Sequence, residues 1–296
     1  PARPDSRTIP PNPEINMANP VISVVIPVYN AERYLDEAIA SIASQSFTNW
    51  ELIIVDDCSS DESYRIMSAW AVRDARIKIF HNESNLKVAQ SRNSGISQIS
   101  PSSRYIATMD ADDRAHPDRL EKQFEFMELN PEYSVCGSSI GIMDENGRVF
   151  AIRNYPVSPD KILKLFCRYN PLAHPTTLIR RSMLGNMRYD PEHICDDYDL
   201  FFRLAAKYPV DNLTECLVDY RLSTTQIKAK YLKRSLGDSI AIQSKYLFLS
   251  RFFSLLNYPS FLAQCILYIC PGKLVFGLFK MKYYRINKKI SNNVTI

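Results

Sequence analysis

Glycine is scarce in this chain, at 8 of 296 residues, and no GxGxxG or GxxxxGK[ST] run is present. Dinucleotide-binding Rossmann domains and P-loop ATPases cradle phosphates on such backbone, so both classes are excluded. There is no GxSxG elbow, and His81, His116, His174 and His193 do not form HExxH, which removes the matching hydrolase and zinc-protease signatures. Cysteines stand at 58, 136, 167, 195, 216, 265 and 270, with no CxxC pair. That spacing argues against a zinc ribbon or a thioredoxin-type site and reads as free thiols in a reducing compartment. Residues 1–16 hold five prolines and no apolar run, so they lack the core of a signal peptide and read as a tag or disordered leader ahead of Met17.

Acidic residues are nearly missing from the end of the chain. Residues 228–296 carry 12 Lys/Arg against one acid, Asp238, a net +11, while residues 1–227 hold 24 basic and 31 acidic residues, a net −7. The halves therefore face different partners. The acidic part suits metal and sugar chemistry, and the basic, apolar end suits an anionic surface. No nucleic-acid module is legible in the acidic part.

What the sequence has is alternation. Val21–Val28 is a β-branched run and Glu51–Val55 (ELIIV) a second such segment, as expected of parallel strands buried on both faces. Arg76–Phe80 and Arg104–Met109 read as two more strands. Helices are expected over Ala31–Ser46, Asp61–Arg73, Lys87–Ile99 and from Pro117 to Leu129, with Pro117 at its favoured first position. Four β–α units in series predict an α/β fold, a doubly wound and mostly parallel sheet. Further on, Tyr133–Met143 and Arg148–Ile152 flank the turn Asp144-Glu145-Asn146-Gly147. Asp160–Phe166 reads as a short helix, Pro175–Ile179 as a strand, Asp196–Lys207 as an amphipathic helix and Leu213–Val218 as a strand. From Lys228 the pattern is helical, broken near Pro259 and Pro271.

In such sheets ligands lie beyond the carboxyl ends of the strands. Carboxylates recur there: Asp56-Asp57 after the second strand and Asp110-Ala111-Asp112-Asp113 after the fourth. Hard oxygen donors at 110 and 112 suit Mg²⁺ or Mn²⁺ with a diphosphate, although Asp also favours turns and caps. Asp113 reads as solvent-facing or cap-like. Asp57 reads as a ligand contact, with a neighbouring residue capping the next helix. Asp196-Asp197 opens a helix, where acids are favoured anyway, and it also suits a general base. Arg92-Asn93 reads as a clamp on the acidic loops or a phosphate contact. His174 reads as a loop, core or catalytic residue, and Arg221 as a cation placed near a phosphate.

Taken in order, SVVIPVYN, ELIIVDDCSSD, SRNSGI, YIATMDADD, HPDRL, HPTTLIRR, DDYDLFFRL and DYRL resemble a family 2 inverting glycosyltransferase of the GT-A fold, of the bacterial surface-polysaccharide type. The resemblance covers residues 20–223 and divides the chain into a leader (1–16), a GT-A domain (17–226) and a basic, apolar helical region (227–296). It implies donor contacts at Pro27, Tyr29, Asn30, Asp57, Lys87, Arg92, Asp110, Ala111 and Asp112. Asp57 matches the acid that binds uracil, and Asp110 and Asp112 match the metal-binding DxD motif. Asp197 matches the catalytic base, preceded by Asp196 where the family has Glu. His174 and Asp196 lie on the acceptor side, and Arg221 near the diphosphate. The donor so implied is a UDP-sugar, the cofactor Mn²⁺ or Mg²⁺, and the acceptor a saccharide or lipid-linked saccharide. A dTDP-sugar donor such as rhamnose, and nucleotide-sugar binding without transfer, are the alternatives. Two positions depart from the pattern. Ser223 stands where a His is usual, and Lys87 where a Gly is usual, offering charge in place of close backbone approach.

Residues 252–272 carry no charge, long enough to consider a membrane span, but Asn257, Pro259, Ser260, Gln264 and Pro271 interrupt them. Basic residues interleaved with Phe276, Phe279, Tyr283 and Tyr284 follow. The expectation is a cytoplasmic protein, peripheral on the inner face of the membrane through residues 252–290. Packing on the catalytic domain, or homo-oligomer contact, is the other reading.

Overall fold

The computed structural model describes residues 19–222 and 232–270. The expected leader, Ser223 and the basic stretch after Cys270 lie outside the described residues. The first half alternates strictly: β1 (Ile22–Val28), α1 (Leu35–Ala43), β2 (Trp50–Asp56), α2 (Ser63–Arg73), β3 (Ile77–His81), α3 (Val88–Ser97) and β4 (Tyr105–Thr108). Short β5 (Arg114–Ala115) and α4 (Arg119–Leu129) follow. The second half holds β6 (Val135–Met143), β7 (Val149–Arg153), α5 (Pro159–Phe166), β8 (Leu178–Arg180), α6 (Arg181–Leu184), α7 (Asp196–Ala205) and β9 (Val210–Arg221). Two further helices, α8 (Leu232–Tyr246) and α9 (Asn257–Ile269), end the described chain.

One sheet runs in the order β3-β2-β1-β4-β8-β6-β9-β5, with β7 paired to β6. The first four strands are parallel, β8 is antiparallel to β4 and β6, and β6 runs parallel to β9. The sheet is thus parallel where the β–α units predict it and mixed beyond β4. β1 is buried on both faces. Ile22, Val24, Ile26 and Val28 join the core under α1 and α4, and Val25 joins the core under α3 and α7. This explains why β1 is apolar at nearly every position, buried Ser23 pairing with Glu51. α3 approaches β1 so closely that a Cβ on Gly95 would stand 2.5 Å from Val25 Cγ1. At the β6–β7 hairpin, Gly147 takes the left-handed φ of 79° that the turn requires.

Several expectations are corrected. Pro117 lies before Asp118, the N-cap of α4, instead of at its first position. Pro175, which lacks an N–H for a sheet ladder, sits in a 3₁₀ turn (His174–Thr176), and the strand begins only at Leu178. Tyr220 and Arg221 belong to β9, which is longer than Leu213–Val218. The final helices break between residues 246 and 257, and Pro259 falls within the first turn of α9, where its missing N–H costs no helical bond. Ile242, Leu247 and Phe252 pack into the same core as α5 and α7. Beyond them, Leu255, Leu256, Leu262, Ile266 and Ile269 are exposed. No helix among the described residues is long and apolar enough to cross a membrane.

Candidate active site

The acidic strand ends converge at the carboxyl edge of the parallel half. β4 pairs β1 only from Ile22 to Val25, so Pro27 lies past the end of its neighbour, where no ladder bond is lost. Tyr29 follows, 54% exposed. Asn30 takes a left-handed φ of 49° and ties the first loop to the second. Its N–H donates to Ser59 Oγ at 3.0 Å, and its Oδ1 accepts from the Ser60 N–H at 2.8 Å.

Asp57 is buried, and its two oxygens gather the loop before α3. Oδ1 accepts from Asn82 Nδ2 and the Leu86 N–H, both at 2.8 Å, and Oδ2 from the Lys87 N–H at 2.9 Å. Asp57 therefore anchors a loop, and any further acceptor role would use its remaining lone pairs. Lys87 is held at φ 72°, ψ 165°, a conformation that suits glycine, with its side chain exposed.

At the end of β4 three carboxyls crowd together. Asp110 is partly exposed, and Ala111 and Asp112 are half-buried. Burial, and then the charge of Asp110, push Asp112 up to about 6. Asp113 is buried, not solvent-facing or cap-like: β9 covers it, and its Oδ1 accepts from the Arg221 N–H at 2.9 Å. Burial, then Asp112 and Asp110, raise Asp113 well above the carboxylate range, and its Oδ2 has no hydrogen-bond partner. Crowded oxygen donors that repel one another, one of them unsatisfied, fit a hard divalent cation. Asp110 and Asp112 are the residues able to hold it. A second cluster, His116, Cys216 and Asp219, brings three donor atoms within 4.8 Å. There, however, Asp219 is already held by Arg114 at 2.8 Å and His116 at 3.0 Å.

Arg221 is not an open cation beside a phosphate. Fully buried, it binds Glu37 Oε2 at 2.5 Å and the Asp112 carbonyl at 2.8 Å, and lies 4.2 Å over the Tyr34 ring. It braces the acidic loop from behind.

Arg92 resolves in favour of the clamp. Its Nη2 meets Asp110 Oδ1 at 3.0 Å, and its Nη1 meets Asp196 Oδ2 at 2.9 Å. Burial pulls the guanidinium down, but Asp196 and Asp110 outweigh it and hold Arg92 above its ordinary range. Asp196 itself is pushed up to about 6, by burial first and by neighbouring Asp197, against the pull of Arg92. Asn93 backs the clamp by bonding both the N–H and the carbonyl of Tyr189. His174 is buried beside it, with Nε2 3.0 Å from Tyr189 Oη and Nδ1 4.0 Å from Asp110.

Asp197 lies half-buried on the first turn of α7. Its Oδ2 accepts from Asn170 Nδ2 at 3.0 Å. Asn170 is fixed in turn, because its Oδ1 accepts from the Leu172 N–H at 3.2 Å. Sequence reasoning missed Asn170, which lies on an irregular loop with no motif around it. It also missed Glu37, whose partner is far along the chain.

Comparison with known proteins gives the family and the fold. Residues 23–191 match the family model described as glycosyl transferase family 2. The O-antigen biosynthesis glycosyltransferase WbnJ of Escherichia coli is 33% identical over 209 residues, 68% of this chain and 80% of its own. Among solved structures, S. aureus TarS 1–349 in complex with UDP superposes with a TM-score of 0.57 at 19% identity, covering 84% of this chain and 80% of that one. The mannosyltransferase PcManGT from Pyrobaculum calidifontis, in complex with GDP-Man and Mn²⁺, gives 0.59 at 14% identity, covering 94% and 84%. These two establish the GT-A fold.

Proposed function

The chain belongs to glycosyl transferase family 2, and from that membership we propose that it moves a hexose or N-acetylhexosamine from a UDP-sugar to a saccharide hydroxyl, with inversion. One observation carries the proposal. A single buried guanidinium, Arg92, joins a donor-side carboxylate, Asp110, to Asp196, the neighbour of the general base Asp197.

The roles follow from position. Pro27, Tyr29, Asn30 and Asp57 form the nucleotide end of the crevice, and Lys87 brings a cation to it. Asp112 and Asp110 would hold Mn²⁺ or Mg²⁺, which supplies Lewis-acid stabilisation of a leaving diphosphate. Asn170 occupies one oxygen of Asp197 and so leaves the other to take a proton. That oxygen accepts the acceptor hydroxyl's proton as the new C–O bond forms at the anomeric carbon. The bond from that carbon to the diphosphate oxygen breaks on the opposite face. One displacement turns an α-linked donor into a β-linked product, with no covalent intermediate on the protein. Buried His174 shapes the floor beside Asp110.

The acceptor is a lipid-linked saccharide in surface-polysaccharide assembly. A relative named for O-antigen biosynthesis supports this, as does the apolar, basic end of the chain, which suits peripheral contact with the inner leaflet. The test is nucleoside-diphosphate release from a panel of nucleotide-sugars, dTDP-rhamnose included, with Mn²⁺, Mg²⁺ or chelator and a detergent-solubilised lipid-linked acceptor. Metal-dependent release from one UDP-sugar, abolished in Asp197→Asn with donor binding kept, is the expected result. Donor binding without release would make the protein a nucleotide-sugar binder, and equal loss of binding and turnover in the variant would remove the base role.

A further inference from the structure

Asp238 is the single acid among residues 228–296, in a segment of net charge +11. It is spent on the catalytic domain. Its Oδ2 accepts the Ile194 N–H at 2.6 Å, and its Oδ1 lies 3.8 Å from His193 Nδ1. Ile194 stands three residues before Asp197, at the entry to α7. One turn earlier on α8, Ser235 Oγ is 3.0 Å from Cys195 Sγ. Later on α8, buried Gln243 donates to Tyr198 Oη at 3.2 Å, and Tyr198 Oη donates to the Phe166 carbonyl. Gln264 of α9 backs Gln243 through a reciprocal amide pair at 3.1 and 3.2 Å. Buried Asn257 accepts from Arg168 Nε at 3.0 Å, two residues from Asn170.

These contacts share one target. Residues 193–195 and 198 flank Asp197, and residue 168 lies on the loop that carries Asn170, the partner of Asp197. The helices supplying the contacts lie beyond residues 23–191, the part that matches the family model. Asp197 has one oxygen free for a proton only while its backbone and Asn170 keep their places. A helix N-terminus has unsatisfied N–H groups and frays unless it is held. The N-cap of α7, Cys195, makes no side-chain capping bond, and Asp238, Ser235 and Gln243 contact the first turn and the residues before it from α8.

We propose that the C-terminal helix pair is the positioning element of the general base, with Asp238 its principal contact. Asp238 touches neither reactant and acts through the backbone at residue 194. The inference rests on the reading of Asp197 as the base.

Three measurements on the full chain test it in wild type, Asp238→Ala and Asp238→Asn. They are UDP titration in Mn²⁺, nucleotide release from the UDP-sugar that wild type consumes, and amide hydrogen exchange across residues 190–199. Asp238→Ala is expected to lower turnover about tenfold to a hundredfold, as small misplacements of a reacting group do. It should leave UDP affinity unchanged and speed exchange at 194–199. Asp238→Asn keeps an oxygen that can accept the Ile194 N–H, so it should restore most turnover and protection. Wild-type turnover in Asp238→Ala, unchanged exchange, or parallel loss of UDP affinity would overturn the proposal. If wild type releases nucleotide from no sugar, yet Asp238→Ala loosens 194–199 with UDP binding intact, the transferase reading fails while the brace stands.

Discussion

Asp110 and Asp196 are bridged by one side chain: the terminal nitrogens of Arg92 lie 3.0 Å from Asp110 Oδ1 and 2.9 Å from Asp196 Oδ2. Asp110 lies two residues past the end of the fourth strand, and Asp196 opens the helix that carries Asp197. The bridge therefore fixes the separation between Asp110 and the helix that carries Asp197, the two groups proposed to hold the metal and to act as base, a distance that transfer would need held. A lysine could not span it, because an ammonium is a point charge and a guanidinium a planar fork.

Arg92→Lys is accordingly expected to fold, to bind UDP more weakly and to lose turnover by at least about tenfold, since one of two charge-assisted bonds is lost. Arg92→Ala leaves Asp196 buried without a cation and should lower stability by about 3–5 kcal/mol. Chemical denaturation together with nucleotide release checks both. A fully active Arg92→Lys would show that the bridge is structural decoration.

Crowding among Asp110, Asp112 and Asp113 makes a second expectation. Neutralising that repulsion should stabilise the fold, so Mn²⁺ should raise the melting temperature. At a hundredfold excess over its dissociation constant, a bound ion adds about 2.7 kcal/mol. Asp112→Ala should lose the Mn²⁺-dependent shift while keeping the native fold. An equal shift in Asp112→Ala would place the ion elsewhere, with His116, Cys216 and Asp219 the next group to mutate.

Asp196 gives a pH dependence whose sign is fixed. In the fold it is pushed up to about 6, above the ordinary aspartate value, because burial and Asp197 disfavour the charge more than Arg92 favours it. Between those values the folded chain holds a proton that the unfolded chain has released. This group's contribution is therefore most favourable below the unfolded value and declines as pH rises through the folded one. Asp196→Asn removes the titration, so its urea midpoint should fall less steeply than wild type between pH 4 and 6. Parallel slopes would assign the wild-type dependence to other carboxyls.

The parts of this site that were legible in the sequence are those that one strand and its own loop can specify. Buried parallel strands need β-branched runs, so β1 and β2 announced themselves, and the acids beyond them marked the crevice. Asp57, Asp110 and Asp112 stand on that edge, and Asp197 lies on the first turn of the helix that Arg92 ties to it. Partnership across the fold was not legible. Nothing near Arg221 announces Glu37, nothing near Asp197 announces Asn170, and Asp113 reads as exposed until β9 is laid over it. The Pro175 segment misled for a local reason, since Thr176-Thr177-Leu178-Ile179 after the proline resembles a strand until the missing N–H is counted.

Lys87 offers the sharpest test of what its position is for. Asp57 holds the Leu86 and Lys87 N–H groups at 2.8 and 2.9 Å and so keeps Lys87 at φ 72°, ψ 165°. A side chain there costs about 1–3 kcal/mol of backbone strain. Glycine would relieve that strain and return about 0.5–1 kcal/mol in added unfolded-state entropy. Lys87→Gly should therefore gain about 1 kcal/mol, which at this chain length is about 3 °C in melting temperature. It should also bind UDP less tightly, because the exposed ammonium at the crevice is gone. Lys87→Ala keeps the strain and loses the charge, so it should bind as weakly as the glycine variant without the gain in stability. Comparing UDP with uridine then locates the contact. Weakening confined to UDP puts the ammonium on the diphosphate, and weakening of both puts it on the base or ribose. If Lys87→Gly binds UDP as wild type does, the charge serves no donor, and the strained lysine has no function at this site.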